Sequence, residues 1–254
     1  YGLNLLCGDD ERLRTLVPRI SRRVLTYGAA QDANFRMQHL GRRGASLQSF
    51  SVTHNGKAIG EFDLAVPGVH NALNATAGVA VGVEFDIPAD KIASALREFH
   101  GVDRRFQRKG SVNGIDIVDD YGHHPTEIKA TLAAAQQCGY KRIHVIFQPH
   151  RYTRTRDLMQ QFATAFDSAD SIIVLDVYAA SEEPIPGVTG EALASEIAKH
   201  HRRVEYCPSF EAAIARAIES ASPGDLIMTL GAGNVVQLAP MLIDALGTTA
   251  TQPS

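Results

Sequence analysis

The sequence predicts an α/β protein in which residues 101–247 fold around a mostly parallel six-stranded sheet with one antiparallel edge strand. Two observations carry this prediction. Apolar runs alternate with segments of helical periodicity through this part of the chain, and such alternation is typical of a parallel sheet with helices on both faces. The pair Asn113-Gly114 lies between Val112 and Ile115 and favours a tight hairpin, which would add the antiparallel edge.

The elements of this second half follow from the same signals. Pro125 can begin a helix and Gly139 can end it. We expect Thr155 to cap the next helix, and the last helix to run from Val235 and stop at Gly247, before a disordered tail at 248–254. The expected strands are Ile115 to Val118, Ile143 to Phe147, Ser171 to Leu175, Val204 to Cys207 and Leu226 to Leu230.

Residues 1–100 are expected to form a separate domain of short strands and two helices, with the boundary near Gly101-Val102. Asn55-Gly56 predicts a hairpin between segments 47–53 and 57–65. A helix of small residues should begin at His70 and another at Pro88. Further strands are expected at Leu3 to Cys7 and Arg23 to Tyr27, and a short helix at Arg12 to Val17.

Composition excludes several classes of function. The net charge of -3 over 254 residues gives no basic field for nucleic acid or an anionic membrane. Every apolar run falls short of the roughly 20 residues that cross a bilayer. The three cysteines are scattered, without metal-ligand spacing or a set of pairs, which fits a reducing compartment. We therefore expect a soluble, cytoplasmic protein.

The densest polar stretch follows the strand at Ile115 to Val118, where Asp119, Asp120, His123 and His124 come directly before a helix. Ligands of α/β proteins bind beyond the carboxyl ends of the strands, so these side chains are candidates for chemistry. Acidic strand ends also serve only as turn caps, and that alternative stays open. Adjacent residues rarely point the same way, which argues against a metal site here.

Three other groups are candidates for binding. His150, Arg151 and Arg154 follow the next strand and could hold a carboxylate or a phosphate, although a plain loop is the alternative. Asn71 and Asn74 could contact a purine edge or cap their helix. Arg104-Arg105 could clamp phosphate, or be a solvated linker. Gly231 and Gly233 are a weak phosphate-loop signal, which tight packing explains equally well.

At these residues the sequence resembles the Mur ligase family over essentially its whole length. His70-Asn71-x-x-Asn74, Arg104-Arg105-Phe106 and Asp120-Tyr121-x-His123-x-Pro125 are similar to markers found across the family. The segments 119–125 and 148–155 resemble those of the members that add L-alanine. The resemblance implies a truncated central ATPase domain at 1–100, followed by a Rossmann-like C-terminal domain at 101–247.

The resemblance also implies a reaction. Such members use ATP and Mg²⁺ to join L-alanine to UDP-N-acetylmuramate through an acyl phosphate, in the synthesis of peptidoglycan precursors. This chemistry depends on positioning and charge neutralisation rather than on a side-chain nucleophile. A homodimer is compatible with it. The substrates would be these two compounds, with no nucleic acid or membrane as partner.

Site roles carry over residue by residue as implications of the resemblance. Arg105, Asp120, His123 and His124 would be catalytic, with no firm role for the two histidines. Asn71 and Asn74 would contact the adenine of ATP, and Arg105 would contact its phosphates. Asp120 would contact the ribose or lie near it. L-alanine and its carboxylate would be received by His150, Arg151 and Arg154.

One departure from the family is expected to matter. A glycine-rich phosphate loop with its lysine, the Mg²⁺ ligands and the UDP-binding domain would all lie upstream of Tyr1, so this chain alone is expected to be inactive. Two alternatives stay open: a ligase that attaches a recycled peptide to the same sugar nucleotide, and a regulatory module that binds nucleotide. A dehydrogenase ranks low, because no dinucleotide fingerprint follows a strand.

Overall fold

The protein is described here by a computed structural model that covers residues 2–43 and 47–249. It forms two compact units, Tyr1–Gly101 and Val102–Ser254. None of the described helices combines the length and the apolar character that crossing a membrane requires.

The first unit contains a sheet whose described strands lie in the order β1-β2-β3-β4-β5. The pairs β1–β2 and β2–β3 are parallel, and the pairs β3–β4 and β4–β5 are antiparallel. The Asn55-Gly56 hairpin is confirmed, with φ of 49° and 81° at its two central residues. The elements are β1 (Leu3–Cys7), α1 (Glu11–Leu16), β2 (Arg23–Gly28), β3 (Phe35–Arg43), β4 (Leu47–His54), β5 (Lys57–Leu64), α2 (Val69–Glu84) and α3 (Ala89–Glu98).

The strand β3 was not predicted from the sequence. Phe35 and Met37 are buried in the core, but Arg36 and Gln38 between them are exposed and the strand ends in polar residues. The register also shifts between His39 and Gly41. A strand with so few apolar residues and a bulge gives a weak alternation signal.

The second unit has the predicted sheet. Its six strands lie in the order β10-β9-β8-β11-β7-β6, and only β6 runs antiparallel to its neighbour. The elements are β6 (Gln107–Val112), β7 (Ile115–Asp120), α4 (Pro125–Gln137), β8 (Ile143–Phe147), α5 (Tyr152–Asp157), α6 (Met159–Ala163), β9 (Ser171–Val174), α7 (Gly190–Ile197), β10 (Val204–Tyr206), α8 (Phe210–Ser220), β11 (Leu226–Leu230) and α9 (Leu238–Thr249).

Helices cover both faces of this sheet, as expected for parallel strands. One apolar cluster joins Val118, Val145 and Phe147 to residues of α4, α6 and α7. The other joins Ile117 and Ile146 to residues of α8 and α9. Since successive side chains of a strand point to opposite faces, the buried strands feed both clusters.

Three predicted boundaries are wrong. The last helix begins at Leu238, after a 3-10 turn at Asn234–Gln237, and not at Val235. Thr155 does not cap a helix, because α5 already begins at Tyr152 and the buried hydroxyl of Thr155 donates to the Arg151 carbonyl at 2.8 Å. The last helix does not stop at Gly247, which lacks the positive φ of a helix-ending glycine, and α9 continues to Thr249. Thr248 therefore belongs to a helix, while the rest of the predicted tail, 250–254, lies outside the described residues.

Candidate active site

The carboxyl ends of β7, β8, β9 and β11 meet at one edge of the second sheet. All four strands are parallel neighbours, so the segments that follow them are brought together. These segments carry the predicted residues Asp120, His123, His124, His150, Arg151 and Arg154. The edge has the position at which α/β proteins bind ligands.

Asp119 is fully buried and is held by two side chains. Its carboxylate accepts hydrogen bonds from Nε of Arg104 at 2.9 Å and from the hydroxyl of Thr229 at 2.6 Å. Arg104 also donates to the carbonyl of Gly231. Arg104 therefore anchors the segment before β6 to the carboxyl ends of β7 and β11.

Asp120 is 4% exposed and accepts hydrogen bonds with both oxygens. The donors are the backbone amides of Phe106 and Gly122, each at 2.7 Å, and the hydroxyl of Thr131 at 3.3 Å. Burial raises the pKa of Asp120, although the Phe106 and Gly122 amides and the charge of Arg105 oppose that rise. Asp120 therefore fixes the backbone just before β6, at Phe106, and just after β7, at Gly122.

Arg105 differs from Arg104 in being available at the surface. Its side chain is 48% exposed and lies 3.8 Å from a carboxylate oxygen of Glu127. Its guanidinium is 5.6 Å from the centre of the Tyr121 ring. A guanidinium with one loose ionic partner can still present donors to an anion.

His124 and Glu127 form a capping box at the start of α4. The Nδ1 atom of His124 accepts from the Thr126 amide at 3.2 Å, and the Glu127 carboxylate accepts from the amides of His123 and His124 at 3.0 and 3.2 Å. This arrangement satisfies amides that the helix itself leaves unpaired. It also fixes the backbone that carries His123.

The rings of His123, His150 and Tyr178 form a row across the strand ends. The centroids of His123 and His150 are 5.8 Å apart, and His150 stacks on Tyr178 at 5.5 Å with an interplanar angle of 16°. Tyr121 meets the His123 ring edge-on at 5.2 Å. Side chains that follow β7, β8 and β9 therefore form a continuous row of rings at this edge of the sheet, across the end of β11.

His150 is held neutral by its surroundings. Its Nδ1 atom lies 3.1 Å from a guanidinium nitrogen of Arg154, which can only donate. Burial lowers the pKa of His150, and the charges of Arg154, His123 and Arg151 lower it further. A neutral imidazole beside a half-buried guanidinium suits the recognition of a small anionic ligand.

Arg151, the N-cap residue before α5, has an unusual backbone conformation, with φ of 72° and ψ of 134°. A non-glycine residue in such a region carries strain of about 1–3 kcal/mol, which surrounding contacts must offset. Its amide donates to the Tyr178 carbonyl at 2.8 Å, and the Tyr178 amide donates to the Pro149 carbonyl at the same distance. This backbone pairing fixes the direction in which Arg151 and His150 leave the sheet.

Sequence reasoning missed Tyr178 and Glu182, which lie in the segment after β9. Glu182 accepts from the amide and hydroxyl of Thr153 at 2.9 and 2.6 Å, and lies 3.8 Å from the Arg151 guanidinium. These hydrogen bonds from Thr153 lower the pKa of Glu182. The signal that could have identified both residues was positional, since every segment that follows a parallel strand reaches the same sheet edge.

The turn at Gly231 and Gly233 packs tightly against its neighbours. A Cβ atom on Gly233 would lie 2.5 Å from Oε1 of Gln148 and 2.6 Å from Cγ of Tyr178, and one on Gly231 would lie 2.7 Å from the Gln148 carbonyl. Gln148 also bonds Asn234 and the Val235 amide. Close packing, the alternative to a phosphate loop, thus accounts for these glycines.

Asn71 and Asn74 lie in the first unit, at the start of α2. The N-cap of this helix is Gly68, without a capping side chain. The amide nitrogen of Asn71 donates to the Pro67 carbonyl at 2.7 Å, while Asn74 is exposed. The capping alternative is therefore wrong for both residues, and an adenine contact stays a prediction.

Metal ligation finds no support in the part of the chain that the structure describes. Within residues 2–43 and 47–249, no group of three or more histidine, cysteine, aspartate or glutamate side chains could hold a metal ion. The paired His123 and His124 differ in role, since the second caps α4.

A family model for the Mur ligase glutamate ligase domain matches residues 104–233, about half of the chain. A UDP-N-acetylmuramate–L-alanine ligase of Koribacter versatilis is 54% identical over 252 residues, which cover 97% of this chain and 54% of that protein. The chain spans about half the length of the curated relatives it matches.

Solved structures show the same fold. The UDP-N-acetylmuramate-alanine ligase of Thermotoga maritima matches with a TM-score of 0.79 at 26% identity, over 97% of this chain and 52% of that one. A murein peptide ligase of Psychrobacter arcticus matches with a TM-score of 0.67 at 21% identity, over 100% of this chain and 52% of that one.

Proposed function

The chain belongs to the Mur ligase family, and we propose that the protein containing it joins L-alanine to UDP-N-acetylmuramate at the expense of ATP, in the synthesis of peptidoglycan precursors. The observation that carries this proposal is the 54% identity to a ligase of that name across 97% of the chain.

The amino acid is proposed to bind where His150 and Arg154 meet. Arg154 presents a guanidinium whose forked donors match a carboxylate, and its bond to His150 at 3.1 Å restrains its direction. Arg151 adds a second cation, with a side chain that is 49% exposed. Two arginines and a neutral imidazole are suited to a small zwitterion, since the cations attract its carboxylate.

The phosphates of ATP are proposed to contact Arg105. Its exposed guanidinium would offset negative charge on the phosphoryl group and on the carboxylate during transfer. Asn74, and the carboxamide oxygen of Asn71, would contact the adenine. For Asp120, the hydrogen bonds from Phe106 and Gly122 favour positioning of the nucleotide site rather than direct contact.

Bound ATP would supply the phosphoryl group that activates the lactyl carboxylate of the sugar nucleotide as an acyl phosphate. Mg²⁺ belongs to this proposal through the family alone. The homodimer and the cytoplasmic location also stay predictions.

The test is release of ADP and phosphate by the protein that contains this chain, given ATP, UDP-N-acetylmuramate and Mg²⁺. Release that depends on L-alanine supports the proposal, and glycine and L-serine as competitors measure its selectivity. Arg154→Gln should raise the KM for L-alanine. Arg156→Gln is the matched control, because Arg156 lies on the same helix but is exposed and pairs with Asp157.

Two other functions would give different results. Release that occurs only with a tripeptide acceptor would indicate the ligase that reattaches a recycled peptide, which a murein peptide ligase of the same fold makes reasonable. Binding of ATP without turnover of any acceptor would indicate the regulatory module. The segment Gln148–Thr155, which resembles that of the alanine-adding members, favours L-alanine.

A further inference from the structure

The three histidines of the sheet edge differ in which ring nitrogen carries the proton. The Nδ1 atom of His123 lies 3.0 Å from the Tyr121 carbonyl, which can only accept, so Nδ1 of His123 is protonated. The Nδ1 atoms of His150 and His124 face donors, a guanidinium and the Thr126 amide, so those two atoms are unprotonated. In its neutral form, His123 alone of the three keeps a lone pair on Nε2.

That lone pair is available. Within residues 102–249, nothing hydrogen-bonds to Nε2 of His123, and the side chain is 19% exposed. On the opposite side of the ring, a Glu127 carboxylate oxygen lies 3.5 Å from Nδ1. A carboxylate behind Nδ1–H orients the ring and stabilises the imidazolium that forms when Nε2 takes a proton.

The charges around the ring are well defined. Glu127 is the anion nearest to His123, and Arg105 lies 3.8 Å from the same carboxylate group. The centroid of the His150 ring lies 5.8 Å from that of His123, and Arg154 donates to Nδ1 of His150. The two cations, Arg105 and Arg154, therefore do not contact His123 itself. Arg105 pairs with Glu127, and Arg154 donates to His150.

We infer that His123 is the general base that takes a proton from the ammonium group of L-alanine, with Glu127 as its positioning residue. This inference rests on the proposed function. An N–H bond of the ammonium breaks and its proton bonds to Nε2, while the electron pair stays on nitrogen. The freed amine attacks the acyl carbon and forms the C–N bond, the C–O bond breaks with its electron pair leaving on phosphate, and the departing phosphate takes the second proton from the nitrogen to leave the amide.

The kinetic test uses the protein that contains this chain, with His123→Asn, Glu127→Gln and the control His200→Gln. Asparagine keeps a donor near the position of Nδ1 but has no base. Glutamine keeps an acceptor for the α4 amides and loses only the charge. His200 is exposed and lies away from the sheet edge.

His123→Asn should lower kcat about 10²- to 10⁴-fold. Its remaining kcat/KM for L-alanine should rise with pH through the alkaline range, because only free amine reacts. The unmodified protein and His200→Gln should instead depend less steeply on pH in this range, because Nε2 of His123 takes the proton. Glu127→Gln should give a smaller loss of kcat than His123→Asn, because the base stays and only the group that orients it changes.

A second measurement does not depend on turnover. The imidazole ¹⁵N shifts of this chain should show His123 protonated at Nδ1 and His150 protonated at Nε2. The opposite tautomer for His123 would overturn the inference, as would a His123→Asn profile with the shape of the unmodified one. If the unmodified protein gave no alanine-dependent turnover while the tautomer was as expected, the proposed function would fail instead, and the role of base with it.

Discussion

His150 and Tyr178 stack their rings at 5.5 Å and 16°, although they follow different strands, β8 and β9. The stack is set by the backbone, because the two residues form a parallel bridge, with amide bonds of 2.8 Å on either side. Tyr178 thereby covers one face of His150, and the centroid of the His123 ring lies 5.8 Å from that of His150. A residue that sequence reasoning missed thus forms a wall of the proposed alanine site.

Tyr178→Ala is expected to raise the KM for L-alanine about 2- to 10-fold, since an aromatic pair contributes about 0.5–1.5 kcal/mol beyond its buried area. Tyr178→Phe keeps the ring and should behave like the unmodified protein. Steady-state kinetics with L-alanine as the varied substrate checks both variants. Equal KM values for Tyr178→Ala and the unmodified protein would show that the stack does not shape the site.

Gly233→Ala is expected to destabilise the second unit by about 1–3 kcal/mol, because its Cβ would meet Gln148 at 2.5 Å and Tyr178 at 2.6 Å. Gly247→Ala is the matched control, since among residues 2–43 and 47–249 no atom outside the backbone of its own helix lies within 4 Å of its Cβ, and it sits inside α9. Alanine there should stabilise by about 0.5–1 kcal/mol. Urea unfolding measures both, and a Gly233→Ala variant as stable as the unmodified chain would refute the packing interpretation.

The edge of the second sheet could be predicted because its signals are local. Asp120 and His150 each end an apolar run, and parallel strands bring such ends together without any knowledge of side-chain contacts. Tyr178 and Glu182 had only this positional signal, since the segment from β9 to α7 has no periodicity and its contacts are with residues about 30 positions away. The start of α5 depends on the positive φ of Arg151, which no propensity indicates.

Arg154→Gln should raise the pKa of His150. After burial, the Arg154 charge is the largest cause of the lowered pKa, and glutamine removes that charge. A lowered pKa means that the folded state binds fewer protons than the unfolded one, so His150 costs stability as the pH falls below about 6.5, the ordinary value for histidine. The variant should lose part of that acid sensitivity.

An NMR titration of the His150 ring, in this chain and in Arg154→Gln, tests directly whether the pKa of His150 is raised. Arg156→Gln should leave it unchanged, because the Arg156 side chain pairs with Asp157 and is 53% exposed. A His150 pKa that is equal in Arg154→Gln and in the unmodified chain would show that the Arg154 charge does not lower it.

The two adjacent arginines at 104 and 105 could not be told apart from the sequence, and their substitutions should separate stability from activity. Arg104→Ala leaves the Asp119 carboxylate, which is 0% exposed, without its ionic partner and should cost about 3–5 kcal/mol. Arg105→Ala removes a half-exposed side chain and should change the free energy of unfolding by less than about 0.5 kcal/mol.

Per folded molecule, Arg105→Ala should lose more activity than Arg104→Ala, the reverse of their effects on stability. Arg105→Ala, although fully folded, should lose turnover, because the charge proposed to face the phosphates is gone. Arg105→Lys keeps the charge but not the forked donors, so partial recovery would show how much depends on geometry. Urea unfolding and ATP-dependent phosphate release, measured on the same preparations, decide the matter. A folded Arg105→Ala protein with unchanged turnover would remove Arg105 from the proposed site and leave phosphate binding to other residues.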